Sequence, residues 1–230
     1  MTTLAIDIGG GSIKFLTLSD DGSIKGASQS RPTPDPATPD ALIDTIGEVA
    51  DTVDAYHRVS IGFPGVVKSG VAYNAPNLGN ELWRAVPLVA KLEQRLGSPV
   101  RAVNDADLQG LGVVEGHGVE LALTLGTGLG SALFTDGRLV PNLELGHHPF
   151  RDGKTYEDLV RDTELKRIGP SEWTERVIDA LGELERLFNY DELHLGGGNA
   201  RHLQKDMSAK VRFFSLEEAM RGALRLWDHA

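Results

Sequence analysis

Two glycine-rich loops in matching surroundings constrain the fold of this chain more than any other feature. The segment "LAIDIGGGS" at 4–12 is echoed 117 residues later by "LALTLGTGL" at 121–129. After each loop come an apolar segment and an Asp-Gly turn, in "KFLTLSDDGSI" and "SALFTDGRLV". Asp-Gly between apolar runs is a strong hairpin signal. We therefore predict a strand, glycine loop, strand, turn and strand in each half, and an internal duplication.

The setting of the first loop excludes two common nucleotide-binding motifs. A Rossmann fingerprint places its last glycine in an opening helix, whereas that position here is Lys14, within a continuing strand. The Walker pattern G-x-x-x-x-G-K-[ST] does not occur in the sequence. Backbone N–H groups of a glycine loop can nevertheless approach phosphate oxygens closely. The alternative is that these glycines only make tight turns.

The rest of the chain alternates between helical and strand patterns. "PVRAVND" at 99–105 predicts a buried strand that leads into a helix. A capping box from Ser215 to Glu218 predicts one last helix with an apolar stripe that reaches Trp227. The proline-rich segment 29–40 predicts a surface loop without regular structure. The pattern is typical of an α/β fold.

Composition limits the partners of the chain. The 230 residues carry a net charge of −10, which argues against nucleic acid or an anionic membrane as a partner. No apolar run approaches the ~20 residues that a membrane span needs, and no signal peptide is expected. The sequence contains no cysteine, which excludes disulfides and thiolate metal sites. We expect a cytoplasmic protein.

Polar residues stand where the chain leaves buried strands. Asp7 precedes the first glycine loop, and Asn104 and Asp105 end the strand of "PVRAVND". A buried polar group without a partner costs ~1–3 kcal/mol, so these groups are expected to be hydrogen-bonded or functional. The competing interpretation of Asn104 and Asp105 is an Asx cap on the following helix. We expect the two loops and this strand end to converge on one cleft, which favours a chemical role.

A second polar group lies in "PNLELGHHPF", which contains Glu144, His147 and His148, with Glu157 shortly after it. Such residues can bind zinc, but the i,i+4 spacing of hydrolytic zinc sites is missing. Carboxylates accept hydrogen bonds from hydroxyl groups and imidazoles can donate them, so the group is suited to a sugar.

Several motifs follow one another over nearly the whole chain: "DIGGGSIK", "IGFPGVV", "APNLGNELWRAVPL", "VNDADLQG", "TLGTGLGSALFTDGRLV", "ELGH" and "LGGGN". In these motifs and their order, the chain resembles the ROK family of bacterial sugar kinases and repressors. The segment "YEDLVRDTELKRIGPSEWTERV" resembles the polyphosphate/ATP glucokinase branch. The resemblance implies an actin-like, ribonuclease-H-like α/β fold of two lobes, each a mixed sheet flanked by helices. We place the lobes at 1–105 and 106–230, with the last helix packing back on the first.

The resemblance also implies roles for individual residues. Asp105 matches the general base that takes a proton from the sugar 6-hydroxyl, and Asp7 matches the residue that supports Mg²⁺ through water. The positions that match sugar contacts are Asn77, Asn104, Glu144, His147 and Glu157. The positions that match contacts to the phosphoryl donor are Asp7, Gly9, Gly10, Gly11, Ser12, Lys14, Thr124, Gly126, Thr127, Gly128, Gly197 and Gly198.

The expected activity is transfer of a phosphoryl group from ATP or polyphosphate to a hexose, with glucose favoured, by a homodimer. The family's zinc-binding C-x-C-G-x-x-G-C segment is missing, so no zinc is expected, and no helix-turn-helix precedes residue 4. Three alternatives stay open: another hexose or an N-acetylated amino sugar as acceptor, a non-catalytic sugar sensor, and an actin-like ATPase without sugar recognition.

Overall fold

The computed structural model describes residues 1–53, 55–203 and 207–228. These residues form two compact units. The first contains residues 1–112 together with the segment from Met220 onward, and the second contains residues 113–219. The sequence places the boundary earlier, after residue 105. The helix that follows residue 104 lies with the first unit because Leu108 is buried beside Ala5 and Leu16 of that unit.

The first unit is a five-stranded sheet with helices and one short hairpin at residues 67–72. Its elements are β1 (Thr2–Ile8), β2 (Ser12–Ser19), β3 (Ile24–Pro32), α1 (Pro39–Ala50), β4 (Arg58–Phe63), β5 (Val67–Lys68), β6 (Val71–Ala72), α2 (Leu88–Leu96), β7 (Val100–Asn104) and α3 (Asp105–Val113), with 3-10 turns at Pro76–Leu78 and Asn80–Trp83. The strand order is β3-β2-β1-β4-β7. β2 is antiparallel to both β1 and β3, whereas β1, β4 and β7 run parallel.

The second unit repeats this plan. Its elements are β8 (Val119–Leu125), β9 (Leu129–Thr135), β10 (Arg138–Val140), β11 (Pro149–Arg151), β12 (Lys154–Thr155), α4 (Tyr156–Val160), α5 (Asp162–Ile168), α6 (Pro170–Phe188), β13 (Glu192–Gly196) and β14 (Val211–Phe213), with 3-10 turns at Leu145–His147 and Ala200–His202. α7 (Leu216–Met220) and α8 (Gly222–Arg225) end the described chain. The strand order β10-β9-β8-β13-β14 matches that of the first sheet, with the same pattern of directions. The predicted duplication and the α/β fold with two mixed sheets are confirmed.

The two glycine loops differ in the number of residues between the last paired positions of their hairpins. Ile8 pairs with Ile13 in the first hairpin, which leaves four residues between the partners. Leu125 pairs with Leu129 in the second, which leaves three. The first loop is therefore one residue longer, and it alone includes a serine, Ser12.

Each sheet has its own apolar core. β1 is buried along its whole length, as expected for a central strand, here between the antiparallel β2 and the parallel β4. Trp83 is fully buried in the first core against Phe63, and Trp173 is fully buried in the second. The indole N–H of Trp173 donates to the Val160 carbonyl over 2.8 Å, which removes the cost of burying it.

Two local predictions need correction. The capping box between Ser215 and Glu218 is present, but the last helical segment divides into α7 and α8 at Arg221. Gly222 lies so close to the Leu108 carbonyl that an added Cβ would be 1.9 Å from the oxygen, and this close packing accompanies the break. The segment 29–40 is not wholly irregular, because β3 pairs with β2 as far as Pro32. Among the described residues, no helix is long and apolar enough to span a membrane.

Candidate functional site

The first glycine loop is held by its own backbone and by one threonine. The Gly9 N–H donates to the Ser12 carbonyl over 2.9 Å. Thr33 donates its hydroxyl to the Gly9 carbonyl over 2.6 Å and its N–H to the Gly11 carbonyl over 3.3 Å. Gly10 and Gly11 are exposed, so this part of the loop is accessible to a ligand.

Asp7 is a buried carboxylate at the end of β1, with only 5% of its surface exposed. Lys14 Nζ lies 3.7 Å from its Oδ2, and Gln109 Nε2 donates to its Oδ1 over 3.4 Å. Burial raises the pKa of Asp7, and the nearby Lys14 charge and the Gln109 amide oppose that rise. A carboxylate beside a glycine loop offers the oxygen ligand that Mg²⁺ prefers.

Asp7, at the end of β1, and Asp105, at the start of α3, both lie close to Gly62 of β4. Gly62 pairs with Asp7 on β1 and with Val103 on β7. A Cβ added to Gly62 would be 3.2 Å from Asp105 Cα and 3.4 Å from Asp7 Oδ1. Because Gly62 has no side chain, the start of α3 and the Asp7 carboxylate can both pack closely against β4.

Asn104 supplies the side-chain cap of α3. Its Oδ1 accepts from the N–H groups of Ala106 over 2.9 Å and Asp107 over 3.3 Å, and its Nδ2 donates to the Gly65 carbonyl over 3.3 Å. The cap proposed as the alternative role for this pair is thus real for Asn104. Asp105 Oδ1 also accepts from the Ala106 N–H over 2.9 Å, and Asp105 is partly exposed at the helix start.

Asn77 lies directly against the first glycine loop. A Cβ added to Gly10 would be 3.1 Å from Asn77 Cβ and 3.3 Å from its carbonyl oxygen. Asn77 itself is exposed in the 3-10 turn Pro76–Leu78. The first unit therefore brings this predicted sugar residue into contact with a predicted phosphate loop.

The second glycine loop is built onto Glu157. The Leu129 N–H donates to Glu157 Oε2 over 3.0 Å, and a Cβ added to Gly128 would be 2.1 Å from the same oxygen. Thr124 stands in β8 where Asp7 stands in β1, so this loop has no carboxylate of its own strand beside it. Gly126 closes the turn by donating its N–H to the Gly128 carbonyl over 3.1 Å.

Glu144 and His147 form a pair beside this loop. His147 Nε2 lies 3.5 Å from Glu144 Oε2, with His147 exposed and Glu144 partly buried. Burial raises the pKa of Glu144; the neighbouring Glu157 charge adds to the rise and His147 opposes it. The chain just before Glu144 is held by β9, because Ser131 donates its hydroxyl to the Leu143 carbonyl over 2.5 Å. The second unit thus places all three of these predicted sugar residues near the loop that includes Gly128.

A third glycine loop follows β13 at residues 197–199 and contacts the second loop through Asn199, to which the sequence motifs assign no role. Asn199 donates its N–H to the Leu125 carbonyl over 2.9 Å and its Nδ2 to the Gly126 carbonyl over 3.2 Å. Gly197 has a φ of 87°, and a Cβ there would be 2.4 Å from the Leu125 oxygen. Only glycine fits this close approach. Gly198 is exposed beside it, as is Thr127 in the second loop.

A separate cluster of Glu120, Glu192 and His194 has side-chain atoms close enough together to hold a metal ion. Glu120 Oε1 accepts from the Glu115 N–H over 2.7 Å and lies 3.1 Å from His194 Nε2. Its Oε2 accepts from the N–H groups of Gly116 and His117. Since these donors occupy both Glu120 oxygens, the cluster fits a structural role in fixing the turn before β8.

Comparison with known proteins identifies the family. The model of the ROK family matches residues 3–155, which is more than half of the chain. The chain belongs to the ROK family.

Among curated relatives, the chain is 35% identical over 208 residues to a polyphosphate glucokinase of Mycobacterium leprae. That match covers 85% of this chain and 63% of the relative, so the chain spans less than two thirds of that protein's length. A polyphosphate glucokinase of Mycobacterium tuberculosis is 32% identical over 210 residues, covering 87% of this chain and 78% of the relative.

Solved structures agree with the family assignment. An inorganic polyphosphate/ATP-glucomannokinase from Arthrobacter sp. strain KM superposes with a TM-score of 0.88 at 31% identity, over 97% of both chains. A ROK family glucokinase from Streptomyces griseus, in complex with glucose and AMPPNP, has a TM-score of 0.81 over 100% of both chains. At 21% identity, the second comparison supports the fold alone.

Proposed function

We propose that this chain is a hexose kinase that transfers the terminal phosphoryl group of ATP or polyphosphate to the 6-hydroxyl of glucose. The observation that carries the proposal is that the Asp7 carboxylate and the backbone of Asp105 both lie close to Gly62. One carboxylate is buried beside the glycine loop, and the other is partly exposed at the start of a helix. Phosphoryl transfer uses such a division, with one acid near the cation and one near the attacking hydroxyl.

In the proposed reaction, Asp105 accepts the proton of the sugar 6-hydroxyl. The oxygen forms a bond to the terminal phosphorus, and the bond from that phosphorus to its bridging oxygen breaks. A positioned base contributes typically ~10²–10⁴-fold to the rate. Backbone N–H groups of the loops containing Gly10 and Thr127 are suited to the transferred and remaining phosphates.

The residues around Asp7 fit a magnesium ion held through water. Asp7 offers carboxylate oxygens. Its partners, Lys14 and Gln109, each contact one oxygen, and each oxygen can accept a further hydrogen bond from a water on the ion. Bound Mg²⁺ would neutralise charge on the donor phosphates and thereby remove their repulsion from Asp7. The chain's own contribution is to keep Asp7 oriented beside the loop.

Sugar recognition is assigned to Asn77, Asn104, Glu144, His147 and Glu157. Carboxylates that accept from vicinal hydroxyls discriminate between sugars by stereochemistry, because a missing hydroxyl leaves a buried acceptor without its partner. Glucose is favoured because the relatives from both mycobacteria are named polyphosphate glucokinases. The name of the Arthrobacter protein makes mannose the next acceptor to test.

The experiment is a coupled assay of the purified protein across glucose, mannose, fructose and N-acetylmannosamine, with ATP and with polyphosphate as donors. We expect sugar phosphate from glucose and a requirement for Mg²⁺. Sugar binding without turnover on any donor would indicate a sensor. Hydrolysis of ATP that is indifferent to every sugar would indicate an ATPase.

A further inference from the structure

We propose that Gln109 is a positioning residue that fixes the carboxylate of Asp7 for the cation of the donor. The inference rests on the proposed kinase activity and goes beyond it, because it assigns a role to Gln109, a residue of the "VNDADLQG" motif to which the resemblance gives none. It begins from the placement of Gln109 on α3, four residues after Asp105. Residues four apart share one face of a helix, so α3 carries both side chains toward the same region.

Two donors hold the two oxygens of Asp7. Gln109 Nε2 donates to Oδ1 over 3.4 Å from α3, and Lys14 Nζ lies 3.7 Å from Oδ2 on the paired strand β2. Contacts from both sides restrict rotation of the carboxylate about its Cβ–Cγ bond. The geometry on the Lys14 side is looser, since that side chain is 41% exposed. The Gln109 amide therefore makes the shorter and less exposed of the two contacts.

A neutral donor is the right chemistry at this position. A lysine or arginine in place of Gln109 would add a second cation to Lys14, compensate the charge of Asp7 further and compete with a divalent cation for it. The glutamine amide orients the carboxylate but leaves its charge available. Because Asp7 is buried, an orientation that is lost there is not restored by solvent.

The contact also ties the two candidate acids to one helix. Asp105 is at the N-terminal end of α3, where Asn104 caps the helix, and Gln109 is one turn further along. A displacement of α3 would move the base and the support of Asp7 together. Gln109 thus couples the position of the base to that of the cation-supporting carboxylate.

The test compares Gln109→Met, which keeps the length but has no donor, with Gln94→Met on the exposed face of α2 as a matched control. Loss of one hydrogen bond to a charged group is expected to raise the Mg²⁺ concentration for half-maximal rate about fivefold in Gln109→Met. The KM for glucose should stay within about twofold, and Gln94→Met should match the wild type. Asp7→Ala should shift the Mg²⁺ requirement in the same direction and further.

A binding measurement makes the test independent of turnover. Mn²⁺ titrated by electron paramagnetic resonance, in the presence of a non-hydrolysable ATP analogue, should bind about fivefold more weakly to Gln109→Met. Gln109→Asn retracts the amide by one methylene and should show the same direction of change, so it serves if Gln109→Met does not fold. Native Mn²⁺ affinity in either folded variant overturns the role of Gln109.

The outcomes separate this inference from the proposed function. A wild-type protein without phosphoryl transfer to any sugar contradicts the kinase proposal itself. An active wild type whose Gln109→Met variant has an unchanged Mg²⁺ requirement contradicts only the role of Gln109. A rise in the glucose KM equal to the rise in the Mg²⁺ requirement also contradicts it, since that pattern indicates general disturbance of the fold.

Discussion

The backbone N–H of Leu129 donates a hydrogen bond to Glu157 Oε2 over 3.0 Å. One carboxylate proposed to bind the sugar is thereby also part of the frame of the second glycine loop. The contact is close, because a Cβ on Gly128 would be 2.1 Å from the same oxygen. We infer that the occupancy of the sugar site and the shape of this donor loop depend on each other.

Gly128→Ala tests that dependence. The new methyl group would displace the Glu157 carboxylate and break its bond to Leu129, so kcat/KM should fall at least about tenfold for both glucose and the phosphoryl donor. Gly182→Ala, within α6 and with no close neighbour at its Cβ position, is the matched control and should be near neutral. Steady-state kinetics with each substrate varied in turn measure the effect. A fall confined to one substrate would show that the loop and the carboxylate act independently.

Asp105→Asn tests the assignment of the base. The amide keeps the size of the side chain but cannot accept the hydroxyl proton, so kcat should drop by at least ~10²-fold while glucose affinity is kept. The exposed Asp44 on α1 gives the control variant Asp44→Asn. Rates come from the coupled assay and affinities from calorimetry. A near-normal kcat in Asp105→Asn would remove Asp105 from the chemistry.

The raised pKa of Glu144 predicts how the affinity for glucose depends on pH. Burial and the nearby Glu157 raise the pKa of Glu144, so it takes up a proton at a higher pH than an ordinary carboxyl group. The protonated form accepts hydrogen bonds less well, and glucose affinity should therefore weaken as the pH falls through this raised value. Calorimetric titration from about pH 8 down to about pH 4.5 measures it, with Glu144→Gln as the comparison. An equally steep pH dependence in Glu144→Gln would rule out Glu144 as its source.

The lowered pKa of Glu164 predicts that the stability of the fold depends on pH. Hydrogen bonds and charge from Arg167 and Arg176 lower its pKa from 4.5 to about 2. The stabilisation is therefore complete above about pH 5 and is lost as the pH falls toward 2. At about 1.4 kcal/mol per pKa unit, this lowering of the pKa contributes at most about 3.5 kcal/mol, and screening at the exposed Arg167 and the partly exposed Arg176 reduces it to about 1–2 kcal/mol.

Urea unfolding at neutral pH and at about pH 3, where the stabilisation is partly lost, checks this prediction. Glu164→Gln should lower the free energy of unfolding at neutral pH and flatten its decline in acid. Glu175→Gln, on the exposed side of α6, should behave as the wild type. An acid decline of the same size in both variants would show that other carboxylates carry it.

The duplicated fold could be predicted from the sequence because local signals repeat in order. Each glycine loop is followed by an apolar strand and an Asp-Gly turn, and these features set the first three strands of each sheet. The lengths of the loops were not predictable in the same way. The pairing of Leu125 with Leu129, one residue tighter than that of Ile8 with Ile13, depends on the register that the folded strands adopt.

The contacts of the site were less accessible to sequence reasoning. Gln109 and Asn199 were not singled out, since a glutamine inside a helix and an asparagine after a glycine run have no local signature of their long-range partners. Their roles depend on Asp7 and Gly126, which are 102 and 73 residues away in the chain. The catalytic and binding roles assigned to Asp105, Glu144, His147 and the glycine loops stay predictions.

The most direct test of the account is the initial rate of sugar phosphate formation by the wild-type protein with glucose, Mg²⁺ and either ATP or polyphosphate. We predict glucose-dependent transfer that needs Mg²⁺ and exceeds the rate of donor hydrolysis without sugar. No glucose-dependent transfer with either donor, from a folded protein that still binds glucose, would contradict the assignment of a hexose kinase.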